Sequence, residues 1–435
     1  MTAYWCERLC LGAGVWNRVL LRCDEHGMLT ERITDVDPPP DAYRLPGLVF
    51  PGFANAHSHA FHRMLRGRTH TYFKSFWKWR EAMYQVAAEL DPDSYYQLAR
   101  LVYAEMVQAG YTCVGEFHYL HHRSDGTPYA DPNAMGRALI EAARDAGIRI
   151  TLLDTLYLAG GLDESGYQPL SELQLAFGDG DLATWFARTA TLSEDDNTRV
   201  GTALHSVRAV PSDMLPEFAE HTKGKPVHVH LSEQPAENEA CQAYHGCSPT
   251  ELLSRNDVLS RHFTAVHATH VSDKDIQLLR GGEGTVCFCP TTEADLADGI
   301  GLASELARCI GSDQHAVIDP FAEMRALEYG ERLRSGERGR LSPGHLIGAA
   351  TDGGYRSLGW DYGRFLWNSP CDLVAVRTDT PRTAGSAPDQ LVMAASASDV
   401  DTVVVGGRIV VRDGRHETID VGPALAELIN GWWEK

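Results

Sequence analysis

The sequence contains no long apolar run. No stretch of its 435 residues approaches the roughly 18 to 20 uninterrupted apolar residues that a membrane helix requires. Glu7 and Arg8 interrupt the first apolar segment, where a secretory signal would need an unbroken apolar core. With 43% hydrophobic and 23% charged residues, the composition is typical of a globular protein, so we expect a cytoplasmic protein without membrane contact.

Positive charge is also scarce. The chain has 39 basic against 59 acidic residues, a net charge of -20, and only six of the basic residues are lysines. This balance disfavours non-specific binding to nucleic acid or anionic lipid, because both depend on clustered positive charge. The ten cysteines include no CxxC pair, and Cys287 and Cys289 are the closest in sequence. Reduced thiols in the core are therefore expected rather than a disulfide framework or a cysteine zinc site.

A repeating order of strand, polar cluster and helix runs through most of the chain. The helical patterns have apolar residues at spacings of three and four, and glycine often follows them. Strands that alternate with helices pair in parallel, and eight such units over about 310 residues predict a (β/α)₈ TIM-like barrel with insertions. The eight strand-like runs cover residues 45–59, 111–122, 148–160, 199–210, 226–234, 263–271, 285–299 and 308–320.

The two ends of the chain differ from this pattern, because both carry short strands with hairpin signals at Asp24–Gly27 and Asp413–Gly414. Neither end has enough strands to form a sheet alone. We therefore predict one small β-sandwich domain that is built from both chain ends. In this division, residues 1–48 and 368–435 form the small β-domain, and residues 49–367 form the barrel.

Candidate metal ligands lie where predicted barrel strands end, which is the face that holds the active site in such barrels. His57 and His59 end the first run, and the period of two places their side chains on the same side. His230 ends the fifth run and Asp313 the eighth. Three imidazoles and one carboxylate suit a catalytic Zn²⁺, although this ligand set also accepts Fe²⁺ or Mn²⁺.

Two further polar residues lie beside these ligands in the predicted barrel. His267 ends the sixth run, and Glu233 follows His230 by three residues. A carboxylate next to a metal site is a natural proton carrier, and a histidine can stabilise a developing oxyanion. These positions predict catalytic roles for Glu233 and His267.

Several sequence blocks together resemble the amidohydrolase superfamily, whose members are metal-dependent (β/α)₈ barrels with a small β-domain. Within it, the resemblance is to the formimidoylglutamate deiminase family, which hydrolyses N-formimino-L-glutamate to N-formyl-L-glutamate and ammonia in histidine breakdown. The likeness extends from about residue 45 to 335. The blocks that carry it are HSHAFHR, SFWKWREAMY, GEFHYLHH, LHSVRAVP, HLSEQPAE, CPTTEADLADG and ALEYGERLR.

The resemblance implies roles for individual residues. It makes His57, His59, His230 and Asp313 the ligands of one zinc ion per chain. Catalytic roles fall to Glu233 as proton carrier, His267 at the reacting centre and Asp313 as acceptor of a proton from the attacking water. The implied contacts to the dicarboxylate amidine substrate are His62, Arg80, Tyr119, His205, Arg208 and His267. His62 departs from the family pattern, which usually has glutamine there.

Alternatives remain open at this point. The chain could be another mononuclear deaminase of the superfamily, acting on an aminated purine or pyrimidine-type ring, or a metal-free scaffold that has lost catalysis. Arg80 could pair with Glu81 on the surface. Many relatives hold two metals bridged by a lysine or glutamate; no lysine lies between Lys78 and Lys223, but Glu116 could take that place. We also expect a homodimer, because barrels of this superfamily often form dimers.

Overall fold

The structure, a computed structural model, describes residues 2–12, 14–70, 76–363 and 369–434. Within these ranges no helix has the length and apolar character needed to span a membrane. The strands are β1 (Thr2–Leu11), β2 (Gly14–Cys23), β3 (Leu29–Ile33), β4 (Tyr43–Pro51), β5 (Phe53–Ser58), β6 (Tyr111–His118), β7 (Arg149–Leu156), β8 (Gly161–Asp163), β9 (Gly166–Gln168), β10 (Thr198–Leu204), β11 (Val227–Leu231), β12 (Phe263–His267), β13 (Thr285–Phe288), β14 (Ala307–Ile310), β15 (Leu373–Val376), β16 (Val400–Val405), β17 (Arg408–Arg412) and β18 (Arg415–His416).

Helices follow most of the parallel strands. They are α1 (Phe76–Ala88), α2 (Pro92–Gln108), α3 (Ala134–Ala146), α4 (Leu182–Thr189), α5 (Leu215–His221), α6 (Pro235–His245), α7 (Pro249–Arg255), α8 (Asp273–Gly281), α9 (Pro290–Asp295), α10 (Ala303–Leu306), α11 (Pro320–Ser335), α12 (Pro343–Gly348), α13 (Gly354–Ser357) and α14 (Val421–Trp433). The sequence has helical patterns with a following glycine at residues 93–110 and 131–147, and they form α2 and α3. Gly147 ends α3 in the left-handed conformation with a φ of 72°.

Eight parallel strands form the barrel, in the order β5-β6-β7-β10-β11-β12-β13-β14. Every residue of β5, β6, β7 and β11 is buried, as expected for strands with the barrel interior on one face and helices on the other. A parallel bridge between Ser58 and Asp313 joins the two ends of this sheet just beyond the end of β14. The predicted (β/α)₈ barrel is confirmed.

The chain ends form a second sheet with the strand order β18-β17-β16-β15-β4-β1-β2-β3. Its two halves meet where β4 pairs antiparallel with β15, with Pro51 opposite Leu373 and Leu48 opposite Val376. Both hairpin signals are confirmed, since Asp24–Gly27 connects β2 to β3 and Asp413–Gly414 connects β17 to β18. The predicted β-domain from both chain ends is confirmed, and its strands are hydrogen-bonded into one continuous sheet.

The first predicted strand run contains two strands, because the chain changes sheets at Gly52. Its backbone N–H donates to the Asp372 carbonyl, 2.9 Å away, and β5 begins at the next residue. A Cβ atom at position 52 would lie 2.1 Å from Oγ1 of Thr112, so the close approach of β5 to β6 requires glycine. The limits of 48/49 and 367/368 stay predictions, and the second lies outside the described residues.

A buried ion pair connects the barrel to the end sheet. Arg149, at the start of β7, is 2% exposed and donates to the carboxylate of Asp372, next to β15. The same carboxylate also accepts hydrogen bonds from the Tyr355 hydroxyl at 2.9 Å and the Gly406 backbone N–H at 2.7 Å. Removing Arg149 would leave a buried carboxylate without its counter-ion, which is far costlier than losing an exposed ion pair.

We therefore expect Arg149→Met to lower the free energy of unfolding by about 3–5 kcal/mol. The matched control is Arg137→Met, because Arg137 pairs with Asp131 at 2.9 Å on the surface, with both side chains 44% exposed. That change should cost about 0–1 kcal/mol. Equilibrium denaturation in urea measures both values, and equal effects of the two substitutions would contradict the structural role of this buried pair.

Candidate active site

The closure of the barrel places three polar residues together. The backbone N–H of Asp313 donates to the carbonyl of His57 at 3.0 Å, and that of His59 donates to the carbonyl of Asp313 at 3.1 Å. The close contact between these two segments requires glycine at position 311, because a Cβ atom there would lie 2.7 Å from Cβ of His57. Asp313 itself has a φ of 45°, a left-handed conformation that aspartate adopts only at a cost. Backbone geometry at the seam thus directs three side chains to one point.

Three imidazole nitrogens converge at that point. The Nε2 atom of His230 lies 3.1 Å from Nε2 of His57 and 3.3 Å from Nε2 of His59. Nδ1 of His59 donates to the Phe117 carbonyl and Nδ1 of His230 to the His205 carbonyl, both at 3.0 Å. Because a carbonyl only accepts, these bonds put the proton on Nδ1 and leave the Nε2 lone pairs of His59 and His230 facing each other.

Asp313 completes the set, with its Oδ1 atom 3.4 Å from Nε2 of His59 and 3.5 Å from Nε2 of His57. Burial lowers the pKa of His57 and His230 well below the usual value, and that of His59 to about 3. Neutral imidazoles with converging lone pairs repel each other unless a cation lies between them. Nitrogen ligands of a tetrahedral Zn²⁺ lie about 3.3–3.4 Å apart, since each Zn–N bond is about 2.0–2.1 Å, and the observed spacing fits such an ion.

His267 lies beside this donor set and between carboxylates. Its ring stacks on that of His230 with centroids 5.7 Å apart, and its Nε2 atom is 3.7 Å from oxygens of both Glu233 and Asp313. Its Nδ1 atom is 3.3 Å from Oε1 of Glu293. Burial alone would lower the pKa of His267, but the carboxylates of Glu233, Glu293 and Asp313 raise it to about 10. His267 is thus held as a hydrogen-bond donor toward the cavity.

Sequence reasoning did not identify Glu293 as a site residue. It belongs to α9, within the CPTTEADLADG block, and its Oε1 atom also accepts the Cys289 backbone N–H at 2.8 Å. In the same block, Asp298 accepts a hydrogen bond from Gln234, the residue after Glu233. Burial and the charge of Glu233 raise the pKa of Asp298 to about 9. This block therefore supports the loops that carry His267 and Glu233, and contact between loops is invisible in residue spacing.

A cavity opens above the donor set. Its wall includes α1, which contributes Trp79, Met83 and Tyr84. Concave sites with apolar walls and a few converging polar groups are typical binding sites of small metabolites. All the residues that were expected to contact substrate line it: His62, Arg80, Tyr119, His205, Arg208 and His267.

Two arginines contribute positive charge to the wall of this cavity. The side chain of Arg208 is 13% exposed, and its Nε atom donates to Oε2 of Glu237 at 3.3 Å. Arg80 lies over the rings of Trp77 and Tyr84, 4.6 and 5.4 Å from their centroids. No carboxylate pairs with Arg80 in the described parts of the chain.

The alternative ion pair of Arg80 with Glu81 is therefore not found. The Glu81 carboxylate instead accepts a hydrogen bond from Nζ of Lys78 at 2.7 Å. Arg80 keeps its guanidinium at the cavity wall, held by aromatic rings rather than by an acid, which leaves its donors available for a ligand.

His62 and Tyr119 share a hydrogen bond of 3.0 Å between Nε2 and the phenol oxygen. The His62 ring also packs on His59 with centroids 4.5 Å apart, and its Nδ1 atom is buried without a partner among the described residues. His62 thus bonds to Tyr119 through Nε2, while its Nδ1 atom is available for another hydrogen bond. Any ligand contact of His62 must use Nδ1 or displace Tyr119.

Glu116 has its carboxylate engaged elsewhere. One oxygen accepts the Ser58 hydroxyl and the other the Ala60 backbone N–H, both at 2.7 Å. Burial raises its pKa to about 7. These bonds fix the turn after β5 that contains His59, so Glu116 supports the site in this geometry and does not join the donor set as a bridge.

A second histidine cluster lies behind Tyr119 and comes from the GEFHYLHH block. His118, His121 and Asp154 are close enough to hold a metal ion. However, Arg188 donates to both oxygens of Asp154 at 2.8 Å, and Trp185 donates to one of them at 2.9 Å. The carboxylate charge is therefore already compensated, and the cluster is an internal ion-pair network beneath the cavity wall.

Comparisons with known proteins agree with this architecture. Residues 48–410 match the model of the amidohydrolase family. The chain is 37% identical over 438 aligned residues, 96% of each chain, to the formimidoylglutamate deiminase of Pseudomonas aeruginosa. Among solved structures, an amidohydrolase from Brucella melitensis superimposes with a TM-score of 0.91 at 31% identity, over all of both chains. An adenosine deaminase from Xanthomonas campestris with bound zinc has a TM-score of 0.83 at 21% identity, over 100% of this chain and 98% of the other, a likeness of fold alone.

The four-donor set predicts the behaviour of a divalent cation. We expect about one tightly held divalent ion per chain in elemental analysis, and at least a 100-fold loss of affinity in His230→Ala, because one of three nitrogen donors is removed. Far-ultraviolet circular dichroism should stay unchanged. As a control, His221→Ala on the exposed surface of α5 should retain the ion. Two tightly held ions, or full retention by His230→Ala, would contradict the assignment.

Proposed function

The chain belongs to the amidohydrolase family, and we propose that it hydrolyses N-formimino-L-glutamate to N-formyl-L-glutamate and ammonia, a reaction of histidine degradation. The family and the 37% identical deiminase make the chain a hydrolase that acts on C–N bonds. The observation that carries the choice of substrate is the polarity of the cavity. The basic side chains of Arg80 and Arg208 and the acidic side chains of Glu233 and Asp313 all line it.

The substrate has charges that match this polarity. N-formimino-L-glutamate carries two carboxylates and a cationic amidine, whose nitrogen is attached to the carbon that bears one of the carboxylates. Arginine is suited to carboxylates because its planar fork gives paired hydrogen bonds. We assign the carboxylates to Arg80 and Arg208, with His62, Tyr119 and His205 as further donors. The amidine then lies toward Glu233 and Asp313, whose negative charge stabilises it, and His267 is a hydrogen-bond donor beside it.

We assign one Zn²⁺ per chain to His57, His59, His230 and Asp313. The neutral imidazoles, the converging lone pairs and their spacing support this choice. Bound there, the ion would supply Lewis acidity that lowers the pKa of water and polarises the amidine. Neutral imidazole is the form in which histidine binds a cation, and burial favours that form in His57, His59 and His230.

The chain's own residues then handle protons and charge. Asp313 accepts a proton from the attacking water through Oδ2, which lies 3.7 Å from Nε2 of His267. His267 donates to the tetrahedral centre, since its other nitrogen is held by Glu293. Glu233 carries a proton to the departing nitrogen, which leaves as ammonia. Burial raises the pKa of Glu233, as a group that must both accept and release a proton requires.

The alternative function is a deaminase that acts on an aminated purine or pyrimidine-type ring. An adenosine deaminase with bound zinc has the same fold as this chain, so the fold is compatible with this alternative. Such a substrate needs an apolar or stacking surface in the cavity. Arg80 and Arg208, which line this cavity, would then face a ring without a carboxylate, and this argues against the alternative.

Ammonia release from N-formimino-L-glutamate, compared with adenosine and with a formimino derivative of a simple amine, tests the proposal. We expect strong preference for the dicarboxylate. Arg208→Met leaves one substrate charge without its partner, a loss of about 1.5–3 kcal/mol, so kcat/KM should fall about 10- to 150-fold. Equal turnover of the formimino compounds, together with a silent Arg208→Met, would reject this substrate in favour of the ring deaminase.

A separate prediction concerns proton transfer. Glu233→Gln keeps the shape of the side chain but removes its ability to carry a proton, so kcat should fall by about 10² or more. Metal content should be unchanged, because Glu233 is outside the donor set. A fully metallated Glu233→Gln enzyme with a near-normal kcat would show that another group transfers the proton.

A further inference from the structure

We propose that Glu237 is a positioning residue that orients Arg208 for a substrate carboxylate and keeps its guanidinium away from Glu233. The inference rests on the proposed function, because it needs a carboxylate-bearing substrate in the cavity. It assigns a role to a buried acid that makes no contribution to the donor set or to proton transfer. Glu237 lies on the first turn of α6, four residues after Glu233.

Glu237 holds Arg208 by one side of its guanidinium. The carboxylate is 1% exposed, and its Oε2 atom accepts the Nε–H of Arg208 at 3.3 Å. Its other oxygen, Oε1, is buried without a hydrogen-bond partner among the described residues. Burying an ionised carboxylate is unfavourable, and burial accordingly raises the pKa of Glu237. The positive charge of Arg208 opposes that rise and so stabilises the ionised form of Glu237.

The hydrogen bond to Glu237 determines which N–H donors of Arg208 remain available for a ligand. A guanidinium has five N–H donors in one plane, and its Nη1/Nη2 edge can bind a carboxylate through two parallel hydrogen bonds. With Nε bonded to Glu237, that edge stays available at the cavity, which Arg208 lines. The ion pair also removes rotamer freedom that binding would otherwise have to remove.

Arg208 has a second acid within reach of its charge. The charge of Glu233 also interacts favourably with its guanidinium, and both side chains line the same cavity. An Arg208 side chain released from Glu237 would be drawn toward Glu233. That contact would remove a donor from the substrate carboxylate and a proton carrier from the reaction. Glu237 therefore keeps the carboxylate-binding function separate from the proton-transfer function.

Steady-state kinetics of Glu237→Gln on N-formimino-L-glutamate tests this role. We expect KM to rise about tenfold. Glu239→Gln is the matched control, because Glu239 lies on the same helix but is exposed, and its kinetics should equal those of the wild type. In the Arg208→Met background, Glu237→Gln should add less than a twofold change, since a residue that acts through Arg208 has nothing left to position.

Three results would overturn the inference: a KM of Glu237→Gln equal to that of Glu239→Gln, a lower KM, or a tenfold effect that persists without Arg208. The last would mark a merely structural role. If Glu237→Gln does not fold, Glu237→Asp replaces it in the same cycle, because the shortened carboxylate cannot hold Arg208 in place. A wild-type enzyme without ammonia release would reject the proposed function instead, whereas an active enzyme with a silent Glu237→Gln rejects only the role of Glu237.

Discussion

The hydrogen bonds that close the barrel are the constraint on which the site depends. Three backbone hydrogen bonds join the end of β5 to the loop after β14, and in two of them the partners are His57, His59 and Asp313 themselves. The segments that close the barrel therefore carry three of the four donor residues. His230 of β11 supplies the fourth donor from across the barrel interior. Gly311 and the left-handed backbone of Asp313 are local costs that this closure requires.

Charge is separated within a protein whose net charge is -20. Acidic side chains surround His267, and Arg80 and Arg208 line the same cavity. Each arginine is held differently, Arg80 by the rings of Trp77 and Tyr84 and Arg208 by Glu237. Arg208 and Glu233 line the same cavity. By holding Arg208, Glu237 keeps these two side chains from pairing with each other.

Much of the fold could be predicted because parallel barrels leave a strong periodic signal. Eight apolar runs with polar residues at their ends mark the strands and their catalytic face, and period two places His57 and His59 together. Two features could not be predicted. The change of sheets at Gly52 occurs inside one apolar run, where hydrophobicity is the same on both sides. Glu237 and Glu293 act across loops, so their contacts depend on packing that residue spacing does not encode.

The pairing of β4 with β15 has a consequence for the order in which the chain is made. Pro51 and Leu373 are neighbours in the end sheet although more than 300 residues separate them in the chain. Translation at about 5–20 residues per second delivers β15 roughly 15 to 65 seconds after β4. Throughout that interval, β1–β4 expose an unpaired, largely apolar strand edge, of the kind that invites pairing with another nascent chain. During synthesis, the edge of β4 that pairs with β15 therefore lacks its native partner until all eight strands of the barrel have been made.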